Sequence, residues 1–266
     1  MAIGPHIVDN QCTSVTAQLD LGIRLLQAQV HPWSPSSDSN PSGISLCHIS
    51  CYSQNVGYLE SWLKEVFDGM DQHPSEIVTL LLTNPEMASV DDWAAGFESL
   101  AAHFQERLAD VWRHEEYEQH IGDLSKFRYI MNEFGNVWEN PYNQTSLPFK
   151  CSVDRRKNPM DRLGLINHIL NDEVVGTGIK YADKDLLEKL MARWHGGARP
   201  TFVLANFSNV PKQDGPVVAA NILNDITDAD TVANAPFTSA GLNKEAQYRL
   251  LIKILMPTFM TTFVMM

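Results

Sequence analysis

The chain has 266 residues, of which 44% are hydrophobic and 20% are charged, and its net charge is −12. This composition is ordinary for a globular protein and argues against disorder as the global state. The negative charge argues against nucleic acid as a partner, because phosphate binding needs a basic surface. It also argues against an anionic membrane surface unless a local basic patch overrides the average charge.

Short apolar runs predict buried strands, and apolar residues at helical spacing predict helices between them. In chain order, the predicted strands cover residues 22–30, 44–50, 76–84, 163–170 and 200–210, the predicted helices cover 57–70, 89–112 and 183–194, and residues 127–143 are predicted to hold a short strand and a loop. This alternation favours an α/β fold with a parallel sheet and outer helices. No repeat or low-complexity linker divides the chain, so residues 1–230 are predicted to form a single domain.

Residues 231–266 are predicted to form a C-terminal extension with an apolar tail over residues 250–266. The tail is short for a transmembrane span, and it contains Pro257, which would kink or break a helix. A packed or frayed C-terminal helix is the favoured interpretation. A glycolipid-anchor signal is the alternative, because small residues at 235–241 and a polar spacer precede the tail.

Cys47 and Cys51 are four residues apart in "LCHISC", which is wider than the C-x-x-C redox motif. The sequence offers no second Cys/His pair at zinc-ligand spacing. Two interpretations stay open for this pair, a local disulfide in a secreted protein and two buried thiols. Sequons at Asn143 and Asn206 are compatible with secretion, although no signal peptide is visible in "MAIGPHIVDNQ".

Polar residues recur near the C-terminal ends of otherwise apolar predicted strands. They are Gln27, Gln29, His48, Thr83, Asn84 and Asn206. Because side chains alternate along a strand, Gln27 and Gln29 share one face of the first strand. In a barrel of parallel strands the active site lies at the C-terminal ends, so the pattern predicts that these six residues line one mouth. Any one of them taken singly is more often a hydrogen-bonded core residue, but the recurrence favours a site.

With these residues located, several blocks of the sequence resemble the phosphatidylinositol-specific phospholipase C-like phosphodiesterases, in particular the fungal secreted branch with the X-type barrel. The main blocks are "NQCTSVTAQLDLGIRLLQAQVH" (10–31), "LCHISC" (46–51) and "HPSEIVTLLLTN" (73–84). Similar later blocks lie at 133–155, 163–171 and 200–207. The resemblance extends over roughly residues 9 to 225.

This resemblance implies a distorted TIM-type (β/α) barrel, incomplete here because the family's first strand would precede Asp9. It also implies cleavage of a phosphodiester in an inositol lipid or related head group, with His48 as the general acid. The same resemblance assigns contact with phosphate or inositol to the polar residues at the other strand ends: Gln27, Gln29, Thr83, Asn84 and Asn206. The expected partner is a phospholipid or glycolipid head group, with contact at a membrane surface, and the expected location is secreted or cell-surface.

The resemblance also marks positions where this chain differs from the family. Gln29 stands where bacterial members have an arginine, and Gln27, Gln29 and Thr83 stand where animal members have calcium-binding carboxylates. Asn206 stands where bacterial members have an aspartate. Since no cluster of acidic residues and histidines falls at the strand ends, neither a metal nor a cofactor is expected. Among the other histidines, His31 is predicted to line the rim and His168 to face the barrel interior.

Two other hypotheses remain open from the sequence. One is a catalytically inactive barrel that binds an inositol lipid or a glycan at the same mouth. The other is a truncated product that folds poorly. Replacing His48 with alanine separates the first from a working enzyme, because turnover would be abolished in the enzyme whereas only binding would weaken in the inactive barrel.

Overall fold

A computed structural model describes residues 11, 13–32, 43–48, 50–52, 54–73, 76–86, 130–142, 144–150, 152–154, 163–169, 200–206, 216–217, 220 and 249–255. The helices predicted over residues 89–112 and 183–194 lie outside this part of the chain. Two compact units are built from interleaved segments. The first comprises residues 1–3, 24–136 and 239–260, and the second comprises residues 4–23, 137–238 and 261–266. The predicted single domain and its boundary at residue 230 stay predictions.

The secondary-structure elements are numbered along the chain. They are α1 (Val15–Asp20), β1 (Leu25–Pro32), β2 (Ile44–Cys47), β3 (Asn55–Tyr58), α2 (Leu59–Gln72), β4 (Ile77–Thr83), β5 (Ile130–Asn132), α3 (Glu133–Asn136), β6 (Val137–Glu139), β7 (Leu163–Asn167), β8 (Phe202–Leu204) and β9 (Arg249–Leu255). The predicted strands and the predicted helix over 57–70 are therefore recovered where the structure describes them, with shifted ends.

The first unit contains a mixed six-stranded sheet in the order β3-β2-β1-β4-β9-β5. Strands β1, β4, β9 and β5 run parallel to one another, whereas β2 is antiparallel to both β1 and β3. The expectation of a parallel sheet was wrong for β2. Only residues 33–43 connect β1 to β2, and a parallel pair needs a crossover of a dozen or more residues, usually with a helix.

Apolar burial explains the centre of this sheet and its neighbouring helix. Strand β4 reads "IVTLLLT", and its residues from Val78 to Leu82 are buried. Helix α2 follows β3 directly and ends before His73, as the His73-Pro74 pair predicted. One stripe of α2 is buried, and it consists of Leu59, Trp62, Leu63, Val66, Phe67, Gly69 and Met70. Residues three and four apart lie on the same side of a helix, so this stripe is the face that packs inward.

Residues 249–255 form a strand, where the sequence favoured a helix over residues 250–266. Strand β9 lies between β4 and β5, and all seven of its residues pair with β4 from Ile77–Arg249 to Thr83–Leu255. The helix interpretation was wrong for these residues. A short apolar run fits a buried strand and a buried helix equally well by periodicity alone, and here it pairs with β4 and β5 as a strand.

The second unit contains a parallel three-stranded sheet in the order β6-β7-β8. Gly164 of β7 lies against the buried indole of Trp138, and a Cβ atom at this position would overlap the ring. The parallel strands of both units fit the α/β class, and closure of a barrel stays a prediction. Within the described residues, no helix combines the length and the apolarity that crossing a bilayer requires.

Candidate functional site

One face of β1 and β4 brings together three of the residues singled out from the sequence. In the parallel register Gln27 lies beside Leu81, and Gln29 lies beside Thr83. Neighbouring residues of a parallel pair point to the same side, so both glutamines share this face with Thr83. Gln29 and Thr83 are half-buried, and the Thr83 hydroxyl donates to the carbonyl oxygen of Ala28 at 3.4 Å. We call this surface the β1–β4 face.

Gln27 is the buried member of the β1–β4 face, with 3% of its surface exposed. Within the part of the chain that the structure describes, neither its Nε2 nor its Oε1 has a hydrogen-bond partner. A buried polar group without a partner costs about 1–3 kcal/mol of stability. An amide held at that cost is suited to a ligand that supplies both an acceptor and a donor.

His48 follows β2 in a tight loop and is also buried. Its backbone N–H donates to the carbonyl oxygen of Gln54 at 3.1 Å, and its carbonyl oxygen accepts from the N–H of Ser50 at 2.8 Å. The sequence treated His48 as the end of a strand parallel to β1 and β4, and that direction was wrong, whereas its place at the predicted mouth stays a prediction. Because β2 is antiparallel, it starts beside Pro32 and has reached Val30 by Leu46, so the chain runs back toward the middle of β1.

A disulfide joins Cys47 to Cys51 and closes the loop that contains His48, with a Cα–Cα distance of 4.8 Å. Of the two interpretations left open by the sequence, the structure shows the disulfide. A cross-link this close to His48 restricts the conformations that its backbone can adopt. His48 therefore lies within a short covalently closed loop at the end of β2.

Replacing Cys51 with serine should lower the free energy of unfolding by about 2 kcal/mol, because a short closed loop no longer restricts the unfolded chain. Urea denaturation of the oxidised protein and of the variant measures this difference. A reductant should lower the stability of the wild-type protein toward that of the variant. If the oxidised protein and the variant unfold at the same urea concentration, the cross-link does not stabilise this loop.

His31 and Glu86 form a close pair at the C-terminal ends of β1 and β4. The His31 Nδ1 lies 2.6 Å from the Glu86 Oε1, and 6% of the histidine side chain and 45% of the carboxylate side chain are exposed. The sequence had placed His31 only at the rim and did not single out Glu86. The two residues are 55 positions apart, so only the parallel pairing of their strands brings them together.

Asn84 and Asn206 complete the residues predicted from the sequence. Asn84 directly follows β4 in the first unit and is 1% exposed. Asn206 lies in the second unit, two residues beyond β8, and is fully buried. The backbone carbonyl of its neighbour Ala205 accepts from the Gln11 Nε2 at 3.5 Å. A single mouth lined by all six residues stays a prediction, and so do the individual roles.

The second unit holds a buried polar network that the sequence interpretation missed. The Asn167 Nδ2 donates to the Glu139 Oε2 and to the Asn140 carbonyl oxygen, both at 3.1 Å. In return, the Asn140 Oδ1 accepts from the backbone N–H of Asn167 at 2.6 Å. All three residues lie at the C-terminal ends of β6 and β7. The same rule that selected Asn206, a polar residue at the end of an apolar strand, would have found them.

His168 directly follows β7 in this second unit and is buried. Its ring lies 4.8 Å from that of Phe149, measured between centroids, and the two rings are tilted by 45°. Among the described residues, no three histidine, cysteine, aspartate or glutamate side chains are grouped closely enough to hold a metal ion.

Comparisons with known proteins identify the family. The model of the PI-PLC X 1 family matches residues 2–112 and 104–185. PI-PLC X domain-containing protein 1 of the fungus Arthroderma benhamiae is 31% identical over 196 residues, which are 65% of this chain and 62% of that protein. A second protein of the same fungus, described as an uncharacterized secreted protein, is 29% identical over 268 residues, 84% of this chain and 58% of that protein.

The chain thus spans about three fifths of the length of these curated relatives. Among solved structures, the phosphatidylinositol-specific phospholipase C of Listeria monocytogenes is 13% identical, with a TM-score of 0.43 over 84% of this chain and 92% of that one. That likeness is too distant to define the fold. Because the family model matches well over half of its residues, this protein belongs to the PI-PLC X family.

Proposed function

We propose that this protein cleaves a phosphodiester bond in an inositol lipid or a related head group, as a phosphoric diester hydrolase or lyase of the phospholipase C type. Membership of the PI-PLC X family supports phosphodiesterase-type chemistry in general. The choice of an inositol head group follows the names of the relative and of the bacterial enzyme, and it is a proposal for this chain.

The observation that favours this function is the unpartnered amide of Gln27 on the β1–β4 face. A primary amide donates through nitrogen and accepts through oxygen. Gln27 can therefore donate to a phosphate oxygen and accept from a hydroxyl of the same head group, while Gln29 and Thr83 lie beside it. These neutral groups hold and orient a phosphate but do not balance its charge.

His48 is the proposed general acid, which protonates the oxygen that leaves phosphorus. A positioned imidazole suits this task because its ordinary pKa lies near neutral pH. The disulfide between Cys47 and Cys51 supports this role, since it limits the motion of the loop that contains His48. Asn84 is proposed to contact the head group from the end of β4.

Secretion is part of the proposal. One relative is described as a secreted protein, and disulfides persist mainly in oxidising compartments outside the cytosol. A secreted enzyme of this type would meet phospholipid or glycolipid head groups at a membrane surface. Its net charge of −12 would keep it from being held there by general electrostatic attraction.

Purified protein with vesicles that contain phosphatidylinositol tests the proposal. Phosphorus NMR should detect release of a water-soluble inositol phosphate, and vesicles of phosphatidylcholine alone should stay intact. Protein that co-sediments with the phosphatidylinositol vesicles without releasing phosphate would favour the catalytically inactive binder instead. If the protein neither cleaves nor binds these vesicles, the inositol-lipid function is wrong.

A further inference from the structure

We infer that His31 and Glu86 form an acid–base dyad in which the Nε2 atom of His31 is the general base for the attacking hydroxyl. This inference rests on the proposed phosphodiesterase function and assigns a catalytic residue to it. His31 alternates with Gln27 and Gln29 along β1, so its side chain belongs to the β1–β4 face. The dyad therefore lies at the C-terminal end of the surface proposed to hold the phosphate.

The short contact between His31 and Glu86 indicates which nitrogen carries the proton when the imidazole ring is neutral. Its Nδ1 faces a carboxylate oxygen at 2.6 Å, and a carboxylate accepts hydrogen bonds but does not donate them when ionised. The proton of the neutral ring is therefore on Nδ1. Nε2 is left with a lone pair, which is the form that accepts a proton from a nucleophile. A base that a third group orients in this way is the general pattern of activated nucleophiles.

The other nitrogen of the ring distinguishes a dyad from a simple structural ion pair. Within the part of the chain that the structure describes, the Nε2 of His31 is buried and has no hydrogen-bond partner. The amide of Gln27, four residues earlier on the same face, is in the same condition. These two groups lie along one face, so a single ligand bound there would supply a partner to both.

Glu86 contributes charge and orientation rather than contact with the substrate. It lies three residues beyond β4, and the parallel pairing of β1 with β4 places that turn next to His31. When Nε2 takes up a proton, the ring becomes a cation, and the adjacent carboxylate stabilises it. The other part of the Glu86 side chain is exposed to water.

In the proposed step, His31 takes up a proton and His48 releases one. A hydroxyl of the head group, or a water molecule, forms a bond from oxygen to phosphorus while its proton passes to the Nε2 of His31. The bond from phosphorus to the leaving oxygen breaks, and that oxygen takes a proton from protonated His48. Afterwards His31 gives its proton to water and His48 takes one from water, so the enzyme returns to its starting state.

His31 and His48 belong to neighbouring segments of the same sheet. His31 pairs with Ser45 across the β1–β2 hairpin, and His48 lies three residues beyond Ser45.

Two substrates separate the roles of His31 and His48. Phosphatidylinositol has an alkoxide leaving group that needs a proton, whereas the 4-nitrophenyl ester of inositol phosphate has a leaving group that needs none. We expect His31→Ala to lose about 10²–10⁴ in kcat on both substrates. His48→Ala should lose as much on the lipid and recover most of that loss on the nitrophenyl ester. Added imidazole should restore part of the activity of His31→Ala.

Glu86 is tested as a positioning residue. Glu86→Gln should lower kcat by about 10-fold or more with KM nearly unchanged, because the ring keeps its partner but loses the charge that stabilises its cation. Glu86→Asp should recover part of that loss. Glu65→Gln, a half-buried glutamate of helix α2, is the matched control and should leave both constants unchanged. A purely structural pair would change the unfolding midpoint without this separation of kcat from KM.

Further controls separate failure of the dyad from failure of the proposed function. His31→Asn replaces His31→Ala if the alanine variant does not fold, as judged by circular dichroism. Turnover by the wild-type protein together with full activity of a folded His31 variant overturns the dyad and leaves the proposed function intact. Loss without rescue by imidazole also overturns the base assignment. If the wild-type protein cleaves neither substrate, the proposed function is wrong, and the dyad assignment is then wrong as well.

Discussion

Replacing His48 with alanine should reduce kcat on phosphatidylinositol by about 10²–10⁴ while KM changes little. Without the imidazole, the leaving oxygen must depart as an unprotonated alkoxide, and the barrier rises accordingly. The backbone hydrogen bonds of His48 to Gln54 and Ser50 do not involve its side chain, so the loop should keep its conformation. Release of inositol phosphate from vesicles at saturating and limiting lipid measures both constants.

His73→Ala is the matched control for this experiment. His73 lies just beyond the last residue of α2, and it also belongs to the first unit. The control should retain wild-type turnover. Equal turnover by His48→Ala and the wild-type protein would show that the acid assignment is wrong. Vesicle binding by His48→Ala without turnover separates loss of chemistry from loss of the binding surface.

The shared face of Gln27 and Gln29 was the best-predicted part of the site, because side chains alternate between the two sides of a strand. Gln27 and Gln29 are two residues apart, so any extended conformation puts them on one side, and the prediction needed no knowledge of the fold. The addition of Thr83 depended only on two apolar runs pairing in parallel. Runs such as "LLLT" and "RLLQAQV" are long and apolar enough that a central position in the sheet was the natural expectation.

Strand direction and the identity of neighbours were not predictable in the same way. Strand β2 was expected to run parallel to β1, and the length of the connection, residues 33–43, contained the evidence against it. The position of β9 depended on a contact between residues more than 160 positions apart in sequence, Ile77 and Arg249 being the first pair. No local pattern in an apolar segment specifies which distant strand it will join.

Pairs of charged or polar groups were missed for a related reason. His31 follows two glutamines at regular alternation, but its importance depends on Glu86, which follows a different strand. In the second unit, Glu139, Asn140 and Asn167 fulfil the same rule that selected Asn206. The first two were overlooked because the short strand expected within residues 127–143 had no assigned end, and Asn167 because the strand predicted over 163–170 continued beyond it. Their hydrogen bonds show that β6 and β7 place these polar ends side by side.

Gln27→Leu should change stability and activity in opposite directions. Leucine has a similar size and no polar atoms, so the variant removes a buried donor and a buried acceptor that have no partner among the described residues. We expect the free energy of unfolding to rise by about 1–3 kcal/mol, the usual cost of such groups. Since a hydrogen bond to a charged group contributes about 1.5–3 kcal/mol, kcat/KM should fall by roughly 10–100-fold.

Urea denaturation and vesicle turnover of the same preparations measure the two effects. Gln72→Leu, at the exposed end of α2, is the matched control and should change the free energy of unfolding by less than about 0.5 kcal/mol, with activity unchanged. A destabilised Gln27→Leu variant would mean that the protein itself satisfies the amide. A stabilised variant with full activity would mean that the amide does not contact the substrate. Only a gain in the free energy of unfolding together with a loss of turnover would show that Gln27 binds the substrate and lowers the stability of the fold.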